Sequence, residues 1–154
     1  MSGLDYSQAP IELREQLSFT KTQVGALDRR IREEVEGVLG CVLLSTCNRT
    51  ELYLSCAEGT EPDPAGLLCA AAGVDDATFA DFFTTCTGEA AARRLMEVAG
   101  GLRSQIWGED QILTQVKGAI SAAREAGTAD GVLETLFRSA AAAGKALKTK
   151  VRLT

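Results

Sequence analysis

There is no histidine among the 154 residues. That absence removes the imidazole general base, every Ser-His or Cys-His nucleophile pair, and every histidine metal ligand. Any catalysis falls to cysteine, carboxylates, arginine, lysine or backbone groups. No stretch approaches the roughly 18 apolar residues of a membrane span, and the opening MSGLDYSQAP lacks the basic start and apolar core of a signal peptide. A soluble, cytoplasmic protein without membrane contact is expected. No CxxC occurs, and the five cysteines, at 41, 47, 56, 69 and 86, are odd in number and irregularly spaced. That pattern fits neither a disulfide framework nor a zinc ribbon, so reduced thiols and no metal are expected. GxGxxG is missing too, so the chain has no dinucleotide phosphate loop.

What is present suffices for one folded domain: 45% hydrophobic residues give a chain of this length a real core. Lys+Arg 16 against Asp+Glu 21 leaves a net charge of −5, so a polyanion such as nucleic acid would need a local basic patch.

The pattern predicts a short strand over 3–8, then a helix over 10–17 opened by Pro10. Thr20-Lys21-Thr22-Gln23 reads as a capping box, with Phe19 and Val24 as its hydrophobic staple. Val24, Leu27, Ile31 and Val35 then form the apolar stripe of a helix ending near Gly37, with Asp28, Arg29, Arg32, Glu33 and Glu36 on its other faces. Strands are predicted over 41–45 and 51–55, leaving Cys47-Asn48-Arg49-Thr50 as the loop between them. Short helices over 65–72 and 75–80 and a last strand over 82–86 follow, then helices over 88–99, 109–126 and 131–150. In the last of these, Leu133, Phe137, Ala140, Gly144, Leu147 and Val151 make a stripe whose small residues permit close approach of a second helix. Strands mixed with helices, then helices alone, define an α+β class.

Two polar clusters carry possible chemistry. Cys47 ends a buried strand among polar groups, and a neighbouring guanidinium with free turn N–H groups stabilises a thiolate without a separate base. A small buried loop cysteine is the competing reading. The second cluster runs from Gly101 to Gln115; Gln111 and Gln115 share one helix face while Ile112, Val116 and Ile120 share another. Glu109 and Asp110 in a first turn are already explained by the helix dipole.

Taken with Ala9-Pro10-Ile11-Glu12-Leu13-Arg14-Glu15, the segments Leu44-Ser45-Thr46-Cys47-Asn48-Arg49-Thr50-Glu51-Leu52-Tyr53 and Gly108-Glu109-Asp110-Gln111-Ile112-Leu113-Thr114-Gln115-Val116-Lys117 resemble the ordered signature segments of glutamyl-tRNA reductase. The resemblance covers nearly the whole chain. It implies the N-terminal catalytic domain over 1–130 and the start of the long connecting helix over 131–154, with the NADPH-binding and dimerisation domains lying outside. A ferredoxin-like β-α-β-β-α-β core with additional helices and a long C-terminal helix is implied as well.

For function, the resemblance implies that Cys47 attacks the ester carbonyl of glutamyl-tRNA, holds the glutamyl group as a thioester, and yields glutamate-1-semialdehyde for tetrapyrrole synthesis after reduction by NADPH. It implies substrate contacts from Thr46, Asn48, Arg49, Ser104, Glu109, Asp110, Gln111 and Gln115, with Arg49 pairing the substrate carboxylate. Implied partners are glutamyl-tRNA, a second subunit, and glutamate-1-semialdehyde aminotransferase. Lacking a nicotinamide site, this chain alone is not expected to complete the reduction. Departures from the family pattern are Tyr6 and Arg94 in place of histidines, Arg103 in place of aspartate and Asp110 in place of proline. Arginine is no general base near neutrality. Arg94 and Arg103 therefore read either as added positive charge for a carboxylate or tRNA phosphate, or as surface residues without a role. The alternative function is a non-catalytic paralogue that binds tRNA or a protein; a domain cut from a longer enzyme is favoured over a stand-alone relative.

Overall fold

The computed structural model describes residues 1–104 and 111–153. Four strands form one sheet: β1 (Ser2–Asp5), β2 (Val38–Ser45), β3 (Arg49–Cys56) and β4 (Thr84–Thr85). Their order is β2-β3-β1-β4, and every neighbouring pair is antiparallel. This is the order of a ferredoxin-like β-α-β-β-α-β sheet, in an α+β domain as the sequence implied.

Each face of the sheet is covered. Because side chains alternate along a strand, the apolar run in β2 sends Leu43 to one side and Val42 and Leu44 to the other. The Leu43 side, with Leu4 and Leu52, packs on α1 (Ile11–Gln16), α2 (Lys21–Glu34), α3 (Pro64–Ala72) and α4 (Asp76–Phe79). The Val42 side, with Tyr53, packs on α5 (Gly88–Ala99), α6 (Gln111–Ala126) and α7 (Gly131–Leu153). Tyr53 meets Phe137 of α7 edge-on, ring centres 5.5 Å apart. The small-residue stripe of α7 does bring a helix close: a Cβ on Gly144 would lie 2.7 Å from the Ala99 backbone of α5. No helix among the described residues is long and apolar enough to cross a membrane.

Local signals explain most boundaries. The Thr20 hydroxyl accepts the Gln23 N–H at 3.3 Å while Gln23 Oε1 accepts the Thr20 N–H at 2.8 Å, so the capping box starts α2 as read. β1 is shorter than expected because Asp5 begins a turn, its Oδ1 accepting both the N–H (2.9 Å) and the hydroxyl (2.6 Å) of Ser7. β2 and β3 are each longer than expected, with a bulge between Val38 and Gly40. Arg49 and Thr50 thus belong to β3, and the loop shrinks to 46–48. A 3-10 turn (Ala80–Phe82) takes up the start of the predicted last strand, leaving β4 two residues.

One residue of α2 lies on the face opposite to that expected. Asp28, read as a polar-face residue, is fully buried, because it follows Val24 by four positions and precedes Ile31 by three. The Cys41 thiol donates to its Oδ1 at 3.4 Å, while Oδ2 has no hydrogen-bond partner among the described residues. Burial pushes the carboxyl up to about 7, against the opposing pull of bonds from Cys41 and Leu43.

A folded-state value above the unfolded one means the fold holds a proton that the unfolded chain releases. Stability from Asp28 is thus full below its ordinary value of 3.8 and is lost as pH rises from there through about 7. Between pH 5 and pH 8 the domain should lose about 2 kcal/mol in urea unfolding. Asp28→Asn, which keeps the neutral shape, should be flat over that range; an equal slope in the variant would exclude Asp28 as its source.

Candidate functional site

Residues 46–48 form a tight hairpin apex between β2 and β3, fastened from several directions. The Thr46 N–H donates to the Arg49 carbonyl at 2.8 Å, and the Asn48 N–H donates to Thr46 Oγ1 at 3.2 Å. From the end of β1, the Tyr6 N–H donates to the Asn48 carbonyl at 2.9 Å. The strand ends are held below: the Phe19 N–H donates to Ser45 Oγ at 3.1 Å, and the Thr50 hydroxyl donates to the Leu17 carbonyl at 2.7 Å. Thr46 and Asn48 are half-buried, whereas Cys47 at the apex is exposed.

Environment separates the five thiols. Cys41 is buried, and burial together with the Asp28 charge drives its thiol far towards the protonated form. Cys69 is also buried and is pushed up to about 11 by burial and by its contact with Asp76. Cys56 is half-buried, and burial raises it against the pull of the Met1 α-amino group; Cys86 is half-buried as well. Only Cys47 is exposed. A cavity of about 720 Å³ lies elsewhere, between Tyr53, Cys56, Cys86 and Leu136, and is lined by none of the candidate site residues.

Beneath the apex lies a buried charge cluster. Glu51 Oε2 accepts from Arg94 Nη2 at 2.7 Å, Arg94 Nε at 3.2 Å and Arg49 Nη1 at 3.2 Å. Asp5 Oδ2 lies 3.0 Å from Arg94 Nη2 and 3.8 Å from Arg49 Nη1. Glu51 Oε1 accepts the Tyr53 hydroxyl at 2.8 Å. The four charged side chains are 0 to 4% exposed, and two cations meet two anions. Burial alone would raise Asp5, but Ser7 and then Arg49 and Arg94 hold its carboxyl below the usual range. Burial likewise opposes the charge on Arg94, and Glu51 and Asp5 overcome it. The Tyr53 hydroxyl is pushed up by burial and by the Glu51 charge.

This cluster takes up two residues for which the sequence raised other roles. Arg49 was expected to face a substrate carboxylate; its guanidinium is 1% exposed, with Nη1 on Glu51 and Asp5 and Nη2 donating to the Arg103 carbonyl. Because it starts a strand instead of sitting in the loop, its side chain runs inward. Arg94 is neither a surface residue nor a free cation for substrate, since the α5 face that carries Leu95 and Val98 also carries it into the cluster. Arg103 stays at the surface, its charge met by Glu97 at 3.1 Å.

The remaining candidates are placed as follows. Ser104 is buried in the turn after α5, next to the carbonyl that Arg49 holds, so the apex and this turn are linked. Gln111 and Gln115 share the exposed face of α6, opposite buried Ile112, Val116 and Ile120. Glu109 and Asp110 lie outside the described residues. Sequence reading missed Asp5 and Glu51 as partners beneath the loop. A signal was available: Glu51 occupies a buried strand and carries a charge that needs a partner. For a dinucleotide the fit is poor, because among the described residues every strand pair is antiparallel and there is no parallel βαβ crevice with a glycine-rich turn.

The fold and site thus define an α+β domain that presents a thiol on a clamped hairpin over a neutral ion cluster. Residues 2–151 match the family model described as glutamyl-tRNAGlu reductase, N-terminal domain. The whole chain is 47% identical to the glutamyl-tRNA reductase of Acetivibrio thermocellus, covering 46% of that protein. It is 44% identical over 153 residues to that of Alkaliphilus oremlandii, again 46% of its length. The solved glutamyl-tRNA reductase of Methanopyrus kandleri superposes on 97% of the chain with a TM-score of 0.78 and 34% identity, covering 34% of that structure. The chain belongs to the family of glutamyl-tRNA reductase N-terminal domains, and it spans less than half the length of these relatives.

Exposure predicts the order of thiol modification. Iodoacetamide should label Cys47 first in the folded protein, with Cys41 and Cys69 reacting only on unfolding. Faster labelling of Cys56 or Cys86, read by peptide mass mapping, would contradict the placing of Cys47 as the most accessible thiol.

Proposed function

We propose that this chain is the acylating part of a glutamyl-tRNA reductase, acting in tetrapyrrole biosynthesis in the cytoplasm. The observation that carries the reading is the exposure of Cys47, alone among five thiols, at a hairpin apex fixed by hydrogen bonds on both sides.

The chemistry asked of it is modest, because an aminoacyl ester is already activated. The Cys47 sulfur attacks the glutamyl carbonyl, a C–S bond replaces the C–O bond to the terminal ribose, and the thiol proton ends on the departing ribose oxygen. What this chain contributes is position: the apex is held so that the sulfur has few arrangements to lose on meeting the ester. Thr46 and Asn48 beside the sulfur, Ser104 in the linked turn, and Gln111 and Gln115 on α6 serve as substrate contacts in this reading. NADPH would supply hydride to the thioester from outside these residues, so the step assigned here ends at the acyl-enzyme. α7 is the start of the helix that connects to those later parts, through which a second subunit would also assemble. Glutamate-1-semialdehyde aminotransferase would take over the aldehyde.

The internal pairing of Arg94 favours one further reading, a binding module without chemistry, because a guanidinium locked between two carboxylates handles no proton. One experiment separates the two. The domain is mixed with radiolabelled glutamyl-tRNA, quenched in acid and run on a non-reducing gel. Protein-bound label that hydroxylamine removes and that Cys47→Ser lacks is the expected result. No label, together with salt-dependent tRNA binding, would replace the catalytic reading with the module.

A further inference from the structure

We propose that Arg94 is a positioning residue for the Cys47 apex, acting through Glu51 and Arg49; the proposal rests on the acylation reading above. Arg49 stands directly after the apex, and its carbonyl closes the hairpin by accepting the Thr46 N–H. Whatever fixes Arg49 therefore fixes the base of the loop. Its guanidinium has two tasks: Nη1 faces Glu51 and Asp5, and Nη2 holds the Arg103 carbonyl of the turn that carries Ser104.

Arg94 makes that division possible. It takes the shorter contacts to both carboxylates, 2.7 Å to Glu51 and 3.0 Å to Asp5, against 3.2 and 3.8 Å from Arg49. The other oxygens of these acids are also engaged, Glu51 Oε1 by the Tyr53 hydroxyl and Asp5 Oδ1 by Ser7. With Arg94 present, the cluster is neutral and Arg49 keeps one arm for the turn. Without it, two buried carboxylates face a single cation, and Coulomb attraction in a poorly screened interior draws Arg49 inward, off the Arg103 carbonyl. The apex and the turn then lose their link. Lysine at 94 would restore the charge but not the fork that meets two acids at once.

The test measures single-turnover acylation of the 154-residue chain across glutamyl-tRNA concentrations, under conditions where urea titration shows each variant folded. Arg94→Gln should lower the maximal acylation rate roughly ten- to a hundredfold with the half-saturating concentration unchanged, and Arg94→Lys should recover part of the loss. Val98→Ala, on the same helix and in the same core but outside the ion cluster, serves as the destabilised control and should stay within about twofold of the parent. A parent-like rate in Arg94→Gln, or an equal loss in Val98→Ala, would overturn the proposal. Should Arg94→Gln not fold, Arg94→Lys and Tyr53→Phe carry the test: both should acylate more slowly than the parent, and parent rates in both would overturn it. Should the parent itself form no thioester, the acylation reading fails, and Cys47 alkylation decides the positioning role. A changed rate in Arg94→Gln with Val98→Ala unchanged supports it, and equal rates refute it.

Discussion

The neutral cluster of Asp5, Arg49, Glu51 and Arg94 is the constraint on which the architecture around Cys47 depends. It draws its members from β1, β3 and α5, so it joins the centre of the sheet to the helical layer on one face. Four charges out of water carry a large desolvation penalty, repaid only when every partner is in place. The arrangement has little tolerance for partial assembly: removing one member leaves an unmatched charge in a core otherwise built from Leu95, Val98, Val116 and Phe137. Tyr53 links the two kinds of interior, its hydroxyl on Glu51 and its ring against Phe137.

The two buried polar sites of the sheet work in opposite ways. On the Tyr53 side, cations and anions cancel and the Asp5 carboxyl is held charged. On the other side, Asp28 has only a thiol and a backbone N–H for company, so it is driven towards neutrality. The Cys41 thiol takes the complementary part, protonated because it donates to Asp28 and because burial disfavours a thiolate. The same residue type is thus inert at 41 and accessible at 47, six positions apart on one hairpin.

Much of this was legible in the sequence. The capping box at Thr20 was read correctly because its reciprocal hydrogen bonds involve residues three apart. The helix over 88–99 and the buried face of α6 follow from periodicity alone. What periodicity cannot give is the partner of a charge. Arg49 and Arg94 look alike in sequence whether they face solvent or a carboxylate, and the pairs that Arg94 forms span 89 residues to Asp5 and 43 to Glu51. Asp28 was assigned to the wrong face for a related reason: residue type outweighed spacing in the reading, although its spacing from Val24 and Ile31 places it on the buried stripe. The ladder around Val38 and Gly40 was missed because a bulge and a glycine hide the alternation that marks a strand.

The order in which a ribosome releases these residues gives the ion cluster a temporal meaning. Asp5, Arg49 and Glu51 are synthesised early, and Arg94 follows Glu51 by 43 residues, an interval of roughly 2 to 9 s at ordinary elongation rates. In that interval the hairpin bearing Cys47 can exist, but its two acids face one cation and remain hydrated. The sheet cannot dry on its Tyr53 face until α5 arrives with the second guanidinium. The second guanidinium is thus the last of the four charges to be made, whereas the backbone contacts of the Cys47 apex, from Tyr6, Thr46 and Arg49, all lie within residues synthesised before it.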